Sequence, residues 1–416
     1  MACLNLELDL AAASKEPLEQ LNRLIVEPLR ELVQGRTKPL VIVVDALDEC
    51  DDEDGRIVLS ALDHLVRELP AFKVILTTRP QQHLDLFAGA ASSKVFYLQN
   101  IEDKIVDQDI RLYLQYCLSH NQVKSRLNLK TQWSANEEEI ETLVRAAGRL
   151  FIIASTAVLF ILDKASLNPV SQTSKLLNAL PDDRMPFNAL NEFYTIILRS
   201  AVPTGCDRGV LERYQAVIGT IIVVQDPLPI ATLANLIGLS SEDFRAVIDN
   251  LQSVILLGVD NIPRIYHKSF PDYIQDTTRC KDDDLLVIPS DQHTRIAVCC
   301  FDVMNMRLKR NILGLGSAAQ YMDNRDGLKA EGISNDRLRE HIGPELRYAC
   351  IYWATHFAGA NIKDRNLIKK VDGFAKERLL HWFEAMSWIC KLELAPHALL
   401  NMHDLLVTYP VPLPTK

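Results

Sequence analysis

The sequence predicts a multidomain, mostly helical protein whose first hundred residues form a partial, doubly wound α/β sheet with parallel strands. Two observations predict the sheet: short apolar runs that lack polar alternation, and helical segments that separate these runs. The helical remainder is predicted because no strand pattern appears for about a hundred residues after Val106. With 416 residues, the chain is long enough for two to four compact units.

The first predicted domain, residues 1–98, alternates helices with strands. Apolar residues at helical spacing predict a helix over 15–34, in which Pro28 is expected to produce a kink. Three strands are predicted, at Leu40–Val44, Val74–Thr77 and Val95–Leu98. Because the first of these runs does not alternate, we expect that strand to be covered on both faces.

The remainder of the chain is predicted to form three more domains, at 99–205, 206–280 and 281–416. The first and last of these show helical patterns throughout, and the last is rich in aromatic residues. In the middle domain, helical segments at 210–223, 230–236 and 242–251 precede short strands at 254–259 and 262–266. Three helices followed by a hairpin are the element order of a winged helix.

Composition predicts an ordinary globular protein, since 48% of the residues are hydrophobic and 24% are charged. The net charge of −9 gives no general attraction to nucleic acid or to anionic membranes. The longest apolar run, Leu150–Leu162, has 13 residues, whereas a membrane span needs about 20, so a buried helix is predicted there. Nine cysteines without a C-x-x-C pair favour a reducing, cytoplasmic location.

Acidic residues follow the first strand in the sequence LVIVVDALDE. Ligands of open α/β sheets bind at the carboxyl ends of the strands, where Asp45 could hold a hydrated Mg²⁺ beside nucleotide phosphates. Asp48 and Glu49 lie about one helical turn further on and could polarise an attacking water. The alternative is that these acids only cap the next helix, whose first turn favours negative charge.

A cation follows the second strand, in VILTTRP. If the strands are parallel neighbours, Arg79 lies at the same sheet edge and could contact the terminal phosphate of a nucleotide. The alternative is a surface arginine at a strand end. Pro80 favours a fixed turn that holds Arg79 in place.

These motifs resemble the NACHT-type STAND ATPases that are abundant in mushroom-forming fungi, and the resemblance runs from about residue 17 to 395. It is carried by the stretches LVIVVDALDEC, FKVILTTRP, GRLFIIASTAVLFI, YHKSFPDYI and LRYACIYWATHF. It implies a P-loop NTPase-like first domain with ATP or ADP and Mg²⁺ as ligands. It also implies that Asp45 is the magnesium aspartate of a Walker B motif, that Asp48 and Glu49 are the catalytic acids, and that Arg79 is the sensor arginine.

The same resemblance gives His267 a role, because YHKSF matches the winged-helix histidine that such proteins direct at the β-phosphate of ADP. An imidazole there would couple the nucleotide state to domain closure. Without the resemblance, a histidine with satisfied hydrogen bonds at a strand end explains the position equally well. Intact relatives act as switches that oligomerise in innate-immunity-like or heterokaryon-incompatibility-like signalling.

The sequence departs from this family because no G-x-x-x-x-G-K-[ST] phosphate loop occurs among the 416 residues. The nearest approach, Gly314-Leu315-Gly316-Ser317, follows a basic, helix-like stretch and is read as a coincidence. Without the backbone N–H groups and the lysine of such a loop, most phosphate-binding donors are missing. The prediction is therefore an N-terminally truncated member with impaired ATP hydrolysis.

Two alternative functions stay open at the sequence level. The chain could be a non-catalytic scaffold or decoy that self-associates or pairs with full-length NACHT proteins through its helical domains and an unpaired sheet edge. It could also be a residual nucleotide binder that hydrolyses ATP slowly. Nucleic acid and membranes are not expected as partners, and the net-acidic third helix of 206–280 argues against DNA binding.

Overall fold

The computed structural model describes residues 17–33, 38–47, 50, 52–78, 102–127, 133–179, 186–316 and 328–408. The described residues are mostly helical and include a small parallel sheet of two strands. The chain divides into two compact units, Met1–Asn100 and Ile101–Lys416. The predicted strand Val95–Leu98 lies outside the described residues. The predicted division of the second unit at 205 and 280 stays a prediction.

The first unit contains a parallel strand–helix–strand motif that is preceded by a helical segment. Its elements are α1 (Pro17–Leu21), a π-helical turn (Asn22–Val26), α2 (Glu27–Val33), β1 (Leu40–Val44), α3 (Asp52–Glu68) and β2 (Phe72–Leu76). Strands β1 and β2 pair in parallel, with Leu40 opposite Phe72 and Val44 opposite Leu76. Because parallel neighbours need a crossover, α3 connects the end of one strand to the start of the next.

The predicted kink at Pro28 takes the form of the π-helical turn that ends two residues before it. Proline has no N–H to donate to the carbonyl one turn earlier, and its ring crowds that carbonyl. A wider turn accommodates both effects without ending the helical segment. The helix predicted over 15–34 is thus confirmed for Pro17–Val33 as three consecutive helical segments.

One face of the sheet packs on a small apolar core. This core contains Val26, Leu65, Leu69 and Phe72, so α3 and the segment before β1 both contribute to it. The opposite face is exposed: the exposed fractions are 55% for Val41, 65% for Val43 and 55% for Ile75. The expectation that β1 is covered on both faces was therefore wrong. A single crossover helix covers one face of a parallel pair, and in the described residues the second face has no such cover.

The second unit is built from helices and one short hairpin. Before the hairpin lie α4 (Asp103–Cys117), α5 (His120–Leu127), α6 (Glu137–Ala147), α7 (Phe151–Ile161), α8 (Pro169–Ala179), α9 (Pro186–Ala201), α10 (Arg208–Val223), α11 (Ile230–Ile237) and α12 (Ser241–Asp249). The hairpin consists of β3 (Ile255–Leu257) and β4 (Pro263–Ile265), which pair antiparallel. After it come α13 (Ser269–Ile274), α14 (Pro289–Arg307), α15 (Asn335–His341), α16 (Pro344–Gly359), α17 (Arg365–Glu377), α18 (Leu379–Trp388), a 3₁₀ turn (Leu392–Leu394) and α19 (Ala395–Thr408).

Local sequence signals explain several of these boundaries. Helix α6 begins after Asn136, whose side chain accepts from the Glu139 N–H while Glu139 accepts from the Asn136 N–H, and it ends at Gly148 in the left-handed conformation. Helix α7 is largely apolar and mostly buried, with Ile153 and Val158 fully inaccessible and only Phe151 at its start exposed, which confirms the buried helix predicted there. None of the helices in the described part of the chain has the length and apolar character that a membrane span requires.

The core of the second unit is continuous from Ile110 to Ala395. Its C-terminal part is an aromatic cluster in which Trp353 packs against Phe301 and Trp382, with ring centroids 5.4 and 5.8 Å away. Trp353 and Trp382 are fully buried, and Trp388 is 7% exposed. These tryptophans therefore belong to the core, as the sequence predicted, rather than to a ligand cage.

A chain of hydrogen bonds, fully buried only at the contact between Tyr348 and His356, joins α14 and α16 to the turn after α10. The Gln225 N–H donates to the Tyr348 hydroxyl oxygen at 3.1 Å, and that hydroxyl lies 2.6 Å from His356 Nε2. His356 Nδ1 lies 3.0 Å from His293 Nδ1. Since Tyr348 accepts from a backbone N–H, its own hydrogen is satisfied only if it donates to His356 Nε2. His356 then carries its proton on Nδ1 and donates to His293.

Candidate functional site

The carboxyl ends of β1 and β2 meet in a compact turn that positions Asp45. The Thr77 N–H continues the strand ladder to the Val44 carbonyl at 2.9 Å, and the Leu47 N–H donates to the Thr77 carbonyl at 3.0 Å. Leu47 is only 3% exposed and anchors the turn in the apolar interior. Ala46 has a φ of 53°, in the left-handed region that non-glycine residues seldom adopt, so these contacts hold a strained backbone.

The Thr77 side chain determines where the Asp45 carboxylate lies. Its hydroxyl oxygen accepts from the Ala46 N–H at 2.8 Å, so its hydrogen is available to donate to Asp45 Oδ1, with which it forms a short contact. Helix α3 begins only at Asp52. Asp45 is therefore a strand-end carboxylate bound to the neighbouring strand, and this geometry does not support the alternative that it caps the next helix.

Asp45 and Thr77 fit part of a magnesium site. Mg²⁺ in nucleotide sites uses one or two carboxylates and takes its other ligands from water and phosphate oxygens. Asp45 is exposed, and its carboxylate has lone pairs beyond the one that Thr77 engages. No group of three or more histidine, cysteine, aspartate or glutamate side chains with metal-site geometry occurs among the described residues. Phosphate oxygens and water would therefore have to supply most ligands.

The other residues predicted for this edge, Asp48, Glu49 and Arg79, lie outside the described residues. Their roles as catalytic acids and sensor cation stay predictions. Thr77 was not singled out by sequence reasoning. The signal that could have identified it is the position of a hydroxyl residue directly after a strand, opposite Asp45 in the parallel register.

His267 lies in the second unit, in the segment between β4 and α13. Its Nδ1 accepts from the Ser269 N–H at 3.1 Å and lies 2.6 Å from Ser269 Oγ. Ser269 Oγ in turn lies 2.8 Å from the hydroxyl of Tyr194 on α9. Neither Ser269 nor Tyr194 was predicted as a site residue, because Tyr194 is 73 residues from His267 in the sequence and only the fold brings them together.

The glycine-rich segment Gly314–Gly316 does not form a phosphate cradle. The Leu315 N–H donates to Asn311 Oδ1 at 2.8 Å, and the Gly316 N–H donates to Glu331 Oε1 at 3.3 Å. These N–H groups are thus engaged by the chain itself, and a carboxylate there would repel an anion. Reading this segment as a coincidental pattern agrees with its geometry.

Comparison with known proteins gives a similarity that lies within the first unit. The family model described as "Nephrocystin 3, N-terminal" matches residues 4–79, a stretch that includes both parallel strands and the turn at Asp45. No curated protein and no solved structure matches the chain. The match covers less than a fifth of the 416 residues. The similarity therefore concerns the region of the parallel strands and Asp45, and not the second unit.

Proposed function

We propose that this chain is part of a nucleotide-switched signalling ATPase of the NACHT/STAND class, with a Mg²⁺–nucleotide site at Asp45 and impaired hydrolysis. The observation that carries the proposal is the position of the Asp45 carboxylate, at the carboxyl edge of a parallel strand pair and bonded to Thr77 of the adjacent strand. This is the edge at which open α/β sheets bind ligands. The similarity of residues 4–79 to the nephrocystin 3 N-terminal family supports a relationship between the first unit of this chain and that family.

Two further features support the proposal. Helices α10 to α12 followed by the β3–β4 hairpin have the element order of a winged helix, the domain that carries the nucleotide-sensing histidine in the resembled family. His267 follows that hairpin directly. Impaired hydrolysis is proposed because the 416 residues contain no phosphate-loop motif, whose N–H groups and lysine hold the transferring phosphate.

The proposal is tested by calorimetric titration of the full chain with ADP and ATP in the presence of Mg²⁺. We expect Mg²⁺-dependent binding that Asp45→Ala weakens about ten- to a hundredfold, since a charge-assisted ligand contact contributes roughly 1.5–3 kcal/mol. Phosphate release is expected to stay near the background rate.

The matched control is Asp63→Ala, which removes another carboxylate of the first unit. Asp63 makes an i,i+4 ion pair with Arg67, and such exposed pairs contribute little to stability. Nucleotide affinity should therefore be unchanged in this variant. Absence of binding to wild-type protein at millimolar nucleotide would refute the proposed site, as would an equal loss in the two variants.

A second candidate function, a protein-interaction scaffold, is favoured by the exposed apolar face of the sheet. Val41, Val43 and Ile75 lie on one face and are each more than half exposed. Contiguous apolar surface of this kind is typical of protein interfaces.

If the chain self-associates through this face, sedimentation should show an association that increases with protein concentration and that Val43→Lys abolishes. Lys73→Glu, which changes a charge on the same face, is the control. A protein that stays monomeric at every concentration would exclude self-association through this face.

A further inference from the structure

A cleft lies between the first half of α14 and the segment that leads from α16 into α17. Its volume of about 390 Å³ is in the range of small-molecule sites, roughly 300–1,000 Å³. The stretch from Asp291 to Cys299 forms one wall, and Asn361, Asp364 and Asn366 form the other. Both walls belong to the second unit, so the cleft is complete within that unit.

Contacts within the chain hold the two walls together. The Asn361 N–H donates to Thr294 Oγ1 at 2.8 Å, which ties the second wall to α14. Further along, Lys370 of α17 forms an ion pair with Asp302 of α14. The Asp364 carboxylate caps α17 by accepting a backbone hydrogen bond at 2.8 Å. The cleft is therefore a preformed part of the fold.

Arg295 lies in this cleft without a partner. Among the residues that the structure describes, its guanidinium makes no hydrogen bond and no ion pair, although the side chain is half-buried. Arg199, another partly buried arginine of the same unit, donates to Asp282 at 2.7 Å and to the Val202 carbonyl at 3.1 Å. An arginine that loses water without gaining a partner presents up to five unsatisfied donors, and a planar carboxylate is an acceptor that fits them.

The charge of Arg295 is not compensated by its neighbours in the described part of the chain. Burial lowers the pKa of its guanidinium, and the neighbouring negative groups offset this effect only in part. One of these groups, the carboxylate of Glu212, accepts instead from Arg208 at 2.9 Å. An anionic ligand would supply the compensation that Arg295 lacks.

The carboxylates beside Arg295 decide which kind of anion fits. Asp291 precedes Arg295 by one helical turn, at which spacing Cβ atoms are about 5–6 Å apart, yet the two side chains form no ion pair in the described structure. Asp364 lies on the opposite wall. Two negative charges next to one positive charge disfavour a dianion such as phosphate. They favour a ligand whose carboxylate is adjacent to a positively charged group.

The α14 wall also offers apolar surface. Val298 and Cys299 follow Arg295 by three and four residues, so all three lie on one face of the helix. Burial raises the pKa of the Cys299 thiol, so the thiol stays protonated at neutral pH and acts as a small apolar group. A small hydrocarbon side chain on the ligand fits beside these two residues.

We propose that this cleft binds an α-amino acid with a small apolar side chain. The ligand's carboxylate pairs with Arg295, its ammonium group pairs with Asp291 and Asp364, and its side chain contacts Val298. The proposal is independent of the nucleotide site at Asp45, because every residue that carries it lies in the second unit.

The ligand class is tested by calorimetric titration of the full chain with valine, isovalerate and isobutylamine. Isovalerate has the shape of valine without the ammonium group, and isobutylamine lacks the carboxylate instead. We expect isobutylamine to bind about ten- to a hundredfold more weakly than valine, because the charge-assisted bonds to Arg295 are lost. Isovalerate should bind about fivefold more weakly than valine, the upper value for an exposed ion pair.

Substitutions in the cleft test the assigned contacts. Arg295→Gln removes the charge, so the affinity for valine should fall about ten- to a hundredfold. The matched control is Arg365→Gln, which removes an exposed arginine at the start of α17 and should leave the affinity unchanged. In the double variant Asp291→Asn and Asp364→Asn, the preference for valine over isovalerate should disappear, while the amide oxygen at position 364 still caps α17.

Melting curves show whether each variant is folded. Because Arg295 has no partner in the described chain, Arg295→Gln should melt at no lower temperature than the wild type. Valine should raise the melting temperature of the wild type but not that of Arg295→Gln, since a ligand stabilises only the native state that binds it.

Three results would contradict the proposal. Absence of valine binding to the wild type at millimolar concentration would overturn the site itself. Isovalerate or isobutylamine that binds as tightly as valine would overturn the assignment to an amino acid. An equal loss of affinity in Arg295→Gln and Arg365→Gln would overturn the contact between Arg295 and the ligand's carboxylate.

Discussion

Lowering the pH from 7 to 4.5 is expected to destabilise the second unit by about 2 to 3 kcal/mol through His356 alone. His356 is fully buried, and burial, with a smaller contribution from His293, lowers its pKa from 6.5 to about 3. The unfolded chain therefore takes up a proton near pH 6.5, whereas the folded chain resists protonation until about pH 3. The contribution is fully present above pH 6.5 and is lost progressively as the pH falls below it. Burial lowers the pKa of His293 as well, so this residue also makes the folded state less stable as the pH falls.

Among the residues that the structure describes, no carboxylate forms a hydrogen bond with the ring of His356. Its ring contacts are the Tyr348 hydroxyl and His293, and the nearby Asp226 accepts from Tyr352 at 2.6 Å. Protonation would also put a second hydrogen into the contact with Tyr348 or His293. The pair is therefore most stable as two neutral rings.

The measurement is urea unfolding followed by tryptophan fluorescence at a series of pH values. All four tryptophans, at 133, 353, 382 and 388, lie in the second unit, so the signal reports this unit. His356→Gln should flatten the pH dependence. His403→Gln, which changes an exposed histidine, should leave it as in the wild type. Equal slopes in the wild type and His356→Gln would contradict the assignment.

Replacing Trp382 by alanine is expected to cost about 3–5 kcal/mol, the usual range for a fully buried indole. Phenylalanine at the same position should still cost about 2–3 kcal/mol, because the indole N–H donates to the Cys350 carbonyl at 2.9 Å and that bond is lost with the ring volume. Urea unfolding followed by circular dichroism measures both changes.

Trp353 provides the matched comparison in the same cluster. Its ring is equally buried, but among the described residues its indole N–H has no hydrogen-bond partner. Trp353→Phe loses packing energy, but it also removes the energetic cost of a buried donor without a partner. The free energy of unfolding is therefore expected to change by less than about 1 kcal/mol. If the two phenylalanine variants cost the same, the hydrogen bond to Cys350 is not the source of the difference.

Much of the secondary structure follows from local patterns. The strand Leu40–Val44 has the bounds that the sequence predicts, because an unbroken apolar run is a strong local signal. The second strand is Phe72–Leu76 rather than Val74–Thr77. Phe72 extends the strand by packing in the core, and Thr77 lies just beyond its last residue, where its backbone still bonds to Val44 and its side chain bonds to Asp45.

The sequence by itself determined the helix–strand order, the buried tryptophans and the candidate residues Asp45 and His267, since each depends on local spacing or on a short motif. Only the tertiary structure decided that Thr77 orients Asp45, that Ser269 and Tyr194 lie in hydrogen-bond contact beside His267, and that one face of β1 is exposed. The physical reason is that these properties depend on side chains from elements far apart in the chain. Their distances and burial are set by packing, which no local pattern encodes.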